Sequence, residues 1–280
     1  MMNFLIKLVK LIAAIVAIAA LVWIVLVFFV REPVFGPEQD VELGKQVVQS
    51  IEEQGQDGPV LSREAYPDAY EHMDRIVSAL VQSPEIDYRD VFRYDEVRII
   101  HNDEILNAFC TPGGFIYVYT GLIHYLESED HLAGVLGHEI AHAERRHSSM
   151  RMQKKYGTDR LFELIVLTTP ISLRSAGALS IVTDLTSLSY SRDQEAESDS
   201  WSVRYLDGTD YACDATAGFF EKLTAAGDHS EPPAFLSDHP SSESRVQDIH
   251  TEAEKLGCST ELGNQSKWRA FQASLPPVEE

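Results

Sequence analysis

Residues 138 to 142 read His-Glu-Ile-Ala-His, an HExxH pentapeptide within a periodic apolar stretch that predicts a helix from about Ser128 to Met152. On a helix, residues four apart lie one above the other, so both imidazoles can grip a single metal ion. Glu139 then sits beside them, placed to work on a water held by that metal. Ser128 supplies a cap, with Glu129 and Asp130 in an acidic first turn, and Leu132, Leu136 and Ile140 form the core stripe. His138 lies about 200° round the helix from Leu136, so the histidines are expected to face away from that stripe.

Catalytic zinc takes three protein ligands and leaves a place for water. The extended pattern HExxHxxGxxH fails here, because Arg145 stands at its glycine and Ser148 at its third histidine. His147 is out of register to replace that ligand. The strongest candidate elsewhere is Glu195, in Ser191-Arg192-Asp193-Gln194-Glu195-Ala196-Glu197-Ser198-Asp199. Glu195 and Asp199 share a helical face, so one can bind the metal while the other holds a ligand histidine through its second ring nitrogen. A solvated acidic helix face accounts for the same run when it is taken alone.

Leu11 to Val30 is an unbroken run of twenty apolar residues, enough to span a hydrocarbon core of roughly 30 Å. It reads as an uncleaved signal anchor, since ten apolar residues follow the Ala17-Ile18-Ala19 cleavage-like site. Lys7 and Lys10 flank its amino side, and Arg31 is offset by Glu32, which keeps the N-terminus cytoplasmic and sends the rest of the chain across the membrane. A linker bearing Pro33, Gly36 and Pro37 precedes helices expected near 38–54 and 69–82. Short strands follow around 97–100, 105–110 and 115–119. Pro112-Gly113-Gly114 before the last of these reads either as an ordinary turn or as the start of an edge strand, Gly113, Gly114, Phe115 and Ile116, that receives an extended peptide beside the metal. Residues 161–190 are interrupted by Pro170, Arg174 and Asp184 and are expected to form helices beside the cleft rather than a second span.

With 23 Lys and Arg against 44 Asp and Glu, the net charge of -21 excludes a nucleic-acid partner. Cysteine is sparse. In an oxidising compartment Cys213 and Cys258 could bridge two C-terminal helices, but with Cys110 they fit three buried free thiols equally well, and no bridge is assumed.

From about Glu38 to Ile249 the chain resembles metallopeptidase family forty-eight, the membrane-associated gluzincins that include the HtpX, BepA-like and CAAX prenyl proteases. The resemblance rests on Asn107-Ala108-Phe109 followed by Pro112-Gly113-Gly114, on Gly137 with the HExxH residues and His147, on Ser191-Arg192 leading to Glu195 and Asp199, and on His239-Pro240 with Arg245. It implies that His138, His142 and Glu195 bind one zinc ion, that Glu139 is the general base and that Asp199 supports the site. It also implies a role for His239, as a fourth ligand that latches the zinc or as an oxyanion stabiliser, whereas the residues alone allow a histidine that merely fixes a turn. Asp238 departs from the threonine many relatives carry there. About forty residues follow His239 with no helical-repeat array, so no tetratricopeptide module is expected, nor a multi-span topology suited to prenylated substrates.

The expected fold is α+β: a mainly helical gluzincin domain with a small antiparallel or mixed sheet, preceded by one transmembrane helix. The division expected is an anchor at 1–30, a linker and membrane-proximal helix at 31–60, the metalloprotease domain at 61–260 and a tail at 261–280. The apolar run and its flanking lysines imply a single-pass protein of the cytoplasmic membrane with its catalytic domain in the periplasm or cell exterior, and the resemblance implies that it cleaves unfolded or misassembled envelope proteins there. The alternative is a chaperone-like binder of such chains with a latched or silent zinc site.

Overall fold

The structure, a computed structural model, describes residues 7, 10–19, 35–55, 57–157, 189–225, 234–239, 243–263 and 265–278. The chain divides into two units, Met1–Val34 and Phe35–Glu280. In the first, residues 10–19 are helical, and Leu11, Ile12, Ile15, Val16 and Ile18 are more than half exposed. Among the described residues no helix is long and apolar enough to cross a membrane. Residues 20–30 of the expected span lie outside the described residues, as does most of the 161–190 segment.

The second unit begins with α1 (Pro37–Gln54) and α2 (Pro67–Val81), each opened by a proline at its first helical position, where the missing N–H costs nothing. Three strands follow: β1 (Val97–Ile100), β2 (Ala108–Cys110) and β3 (Ile116–Tyr119). Their order is β1-β3-β2, with β3 parallel to β1 and antiparallel to β2. Next come α3 (Thr120–Tyr125), α4 (Glu129–Glu144), α5 (His147–Tyr156), α6 (Arg192–Leu206) and α7 (Ala215–Ala225). The C-terminal elements are α8 (Ala234–Asp238), α9 (Glu243–Leu256) and α10 (Gln265–Ala273). Mainly helical with a small mixed sheet, the architecture matches the expected class. Residues expected to trail as a tail instead form α10, which buries Trp268 and Phe271 in the common core.

Three expectations change. The strand after Pro112-Gly113-Gly114 is the central strand of the sheet, paired on both sides, so it offers no free edge to a peptide. Phe115 and Ile116 are buried at 1% and 0% exposure. Gly113 has a φ of +79°, and a Cβ on it would sit 2.4 Å from the Cα of Val41, so this turn serves the close approach of α1 rather than a ligand. The edge on that side of the sheet is β2.

The predicted helix over 128–152 is broken. Arg146 adopts a left-handed conformation (φ +55°), ending α4 and starting α5 in a new direction. Its guanidinium is buried, with Nε donating to Asp40 Oδ2 at 2.5 Å and Nη2 to the Phe35 carbonyl at 2.6 Å, while Ser149 donates to the other Asp40 oxygen at 2.7 Å. Contacts made 106 residues away thus set a break that local periodicity does not reveal. Finally, Cys213 and Cys258 are joined by a disulfide, and Cys110 is the buried free thiol. The backbone N–H of Cys213 donates to the Ser259 carbonyl, which brings the two chain segments together.

Candidate metal centre

Helix α4 positions the HExxH residues. Ser128 caps it by accepting from the His131 N–H, and its acidic first turn is tied into the fold: Glu129 is paired with Arg75 and accepts from the Tyr211 hydroxyl, and Asp130 accepts from the N–H groups of Ala212 and Gly263. The face opposite the Leu132, Leu136 and Ile140 stripe is enclosed as well. Every residue of α4 but His131 is buried, with α6, α7 and β2 packed around it. Where the helix lies against α7 it does so backbone to backbone, since a Cβ on Gly134 would meet the Thr216 nitrogen at 2.5 Å.

Helix α6 brings Glu195 and Asp199 to face the histidines. It opens with a reciprocal capping box, in which Ser191 Oγ accepts from the Gln194 N–H and the Gln194 side chain accepts from the Ser191 N–H. The fourth group, His239, follows α8. Phe235 of α8 donates its N–H to the Leu106 carbonyl, and its ring stacks on His239 at 4.5 Å between centroids.

One donor atom each from His138, His142, Glu195 and His239 lie within 4.8 Å of one another, all buried. The Nε2 atoms of His138 and His142 are 3.0 Å apart, and His239 Nδ1 is 3.2 Å from His138 Nε2 and 3.1 Å from Glu195 Oε1. Each of the two HExxH histidines places Nε2 3.5 Å from a Glu195 oxygen. A tetrahedral ion with bonds of about 2.0–2.1 Å separates its donors by roughly 3.3–3.4 Å. The three imidazoles and one carboxylate therefore fit a zinc-like ion in spacing and in chemistry.

The surroundings favour a cation. His138 Nδ1 lies 2.9 Å from Asp199 Oδ1, so its Nε2 is left to face the other donors. Arg245 grips Asp199 through two hydrogen bonds of 2.7 Å and reaches Glu195 Oε2 at 2.8 Å. Burial opposes charge on His138, but the Asp199 and Glu195 carboxylates outweigh it and push its pKa up to about 9. Burial likewise disfavours ionised Glu195, yet its contacts with His138, His142 and His239 hold its pKa well below the carboxylate range. His142, buried and beside two other imidazoles, is held neutral. For Glu139, burial raises the pKa; Oε2 accepts from the Cys110 N–H at 3.3 Å and Oε1 lies 3.3 Å from His239 Nε2.

All the sequence-predicted polar residues thus meet at one place. Gly113, Gly114, Phe115 and Ile116 do not join them. Beside the cluster is a cavity of about 350 Å3 whose walls include Asn107, Phe109 and Cys110, with Glu139, Tyr190 and His239. Sequence reasoning missed three contributors: Tyr190, which stacks on His142 at 3.8 Å between centroids, the grip of Arg245, and His147. Arg245, soon after the His-Pro pair, and His147, close behind the HExxH residues, carried a sequence signal without a role attached, and Tyr190 carried none.

Comparison with known proteins defines the class. Residues 67–253 match the model of peptidase family M48, and the chain belongs to that family. Among similar proteins are the mitochondrial metalloendopeptidase OMA1 of Schizosaccharomyces pombe, 34% identical over 55% of this chain and 45% of that protein. The beta-barrel assembly-enhancing protease of Escherichia coli K12 is 29% identical over 56% of this chain and 34% of its own length. Metalloprotease YcaL of the same organism is 30% identical over 51% and 57%. The chain thus spans roughly a third to just over half the length of these relatives.

Proposed function

We propose that this chain is a zinc-dependent endopeptidase, anchored in the cytoplasmic membrane by residues 11–30, that cleaves unfolded or misassembled proteins on the extracytoplasmic side. The observation that carries the reading is the convergence of His138, His142 and Glu195 with the Glu139 carboxylate one residue along the same helix. His138, His142 and Glu195 would hold the zinc, which would supply Lewis acidity to the scissile carbonyl and to a water whose pKa falls towards about 7. Glu139, its pKa raised by burial, accepts the proton of the attacking water and returns it to the leaving amine. Asp199 and Arg245 hold His138 and Glu195 in place.

The substrate strand is reassigned to β2. Asn107 and Thr111 bond to β3 through Tyr119 and Phe115, so by ladder alternation the backbone groups of Ala108 and Cys110 point away from β3, where the Cys110 N–H donates to Glu139 Oε2. An extended peptide held by those groups would be read largely through its main chain, which suits substrates of varied sequence. The Cys213–Cys258 disulfide supports an oxidising compartment, as does the lysine placement before residue 11. The apolar exposed side chains of helix 10–19 support the anchor. The name of the Escherichia coli relative, an assembly-enhancing protease, supports a role in envelope protein quality control.

A second reading, a chaperone-like binder with a latched site, is favoured by His239, whose Nδ1 stands where a fourth ligand would. One experiment separates them. The detergent-solubilised protein should degrade casein, lose that activity to a chelator and regain it with zinc, while Glu139→Gln keeps zinc but does not cleave. Full cleavage by a clean Glu139→Gln preparation sinks the assignment, and zinc binding with casein capture but no cleavage favours the binder.

A further inference from the structure

His147 is buried at 0% exposure, carries a titratable ring and has no part in the scheme above. Its Nδ1 lies 3.0 Å from His142 Nδ1, and its Nε2 lies 3.4 Å from Glu197 Oε2. Resting on the metal reading, we propose that His147 is a positioning residue that fixes the tautomer and ring orientation of the ligand His142.

Proton count decides which nitrogens carry hydrogen. Two ring nitrogens at 3.0 Å need one hydrogen between them, and a neutral imidazole carries only one N–H. His142 Nε2 faces His138 Nε2 at 3.0 Å and Glu195 Oε1 at 3.5 Å, and it can serve as a metal ligand only with its lone pair free. The hydrogen of His142 therefore belongs on Nδ1, where His147 Nδ1 accepts it. His147 then carries its own hydrogen on Nε2 and donates to Glu197. Ser198 Oγ is 3.3 Å from the same His147 Nδ1 and is the weaker competitor by distance. His138 gains the equivalent hold from Asp199, so the two ligand histidines have different outer partners.

The broken helix makes this contact available. Five residues on, a continuous helix would place residue 147 about 140° round from His142, out of reach of its ring. The left-handed turn at Arg146 swings His147 back over His142. The register that rules out His147 as a third ligand is therefore not the register it occupies.

The test is zinc affinity, by competition with a chromophoric chelator on the detergent-solubilised full chain, alongside thermal unfolding of the zinc-free forms. His147→Leu keeps bulk and removes the acceptor; His147→Asn offers an amide oxygen near the place of Nδ1. The expected result is a loss of about 10–100-fold in zinc affinity for His147→Leu, with most of it restored in His147→Asn. Equal affinity of His147→Leu and wild type, or equal losses in both variants, overturns the proposal and leaves His147 a packing residue. If His147→Leu does not fold, His147→Ala takes its place under the same criterion. Should the wild type itself bind no zinc, the metal reading fails instead, so the two failures are distinguishable.

Discussion

The ion pair of Asp40 with Arg146 offers the sharpest test of how the site is held. Both residues are buried, at 1% and 6% exposure. Burial raises the pKa of Asp40 although Arg146 and Ser149 pull it down, so desolvation consumes much of what the pair gains. Removing one partner is a different matter. Asp40→Ala strands a buried guanidinium, a change that costs about 3–5 kcal/mol, and the Phe35 carbonyl, which Arg146 keeps, places the loss near the lower figure. For a unit of this size about 3 kcal/mol lowers Tm by roughly 6–12 °C. The double variant Asp40→Ala with Arg146→Ala removes the stranded charge and should recover at least about 2 kcal/mol of the summed single losses. Thermal and urea unfolding of the four proteins, all zinc-free, complete the cycle. Single losses that add within about 0.5 kcal/mol would refute the argument, because then the two side chains do not depend on each other.

Two further outcomes are expected. Burial disfavours a charge on Glu129, but hydrogen bonds from Arg75 and Tyr211 outweigh it and hold its pKa below the usual value, so its contribution is present above about pH 4.3 and fades as pH falls through the lower folded value. The stability gap between wild type and Glu129→Gln should accordingly narrow between about pH 6 and about pH 3 in urea titrations; parallel curves would contradict this. The disulfide closes a separation of 45 residues, worth about 4 kcal/mol on a chain-entropy basis, so the Cys213→Ala, Cys258→Ala variant should unfold at distinctly lower urea, and an unchanged midpoint would count against the bridge.

Local spacing was the readable part of this chain. His138 with His142, and Glu195 with Asp199, are pairs four apart on helices, and helical geometry alone puts each pair on one face. Elements closed by distant partners were not readable. Strand order depends on which of two neighbours β3 joins, and periodicity is silent on that, so an edge was assigned to what is the centre. Periodicity carries the long helix through Arg146 because nothing near it in sequence announces Asp40. The same break brings His147 to His142, a contact that an unbroken helix does not allow. The disulfide needed the proximity of Cys213 to Ser259, a tertiary fact.

Helix α4 has almost no solvent-facing side, and that has a mechanical meaning. A helix with one wet face can roll a few degrees and disturb only what lies beneath it. Enclosed by α6, α7 and β2, α4 cannot roll without moving its jacket, because packed interiors transmit displacement instead of absorbing it. The aim of His138, Glu139 and His142 is therefore a property of the whole unit. A core change at Phe219, which is buried at 0% and lies outside the donor set, would be felt at the site as donor atoms out of true.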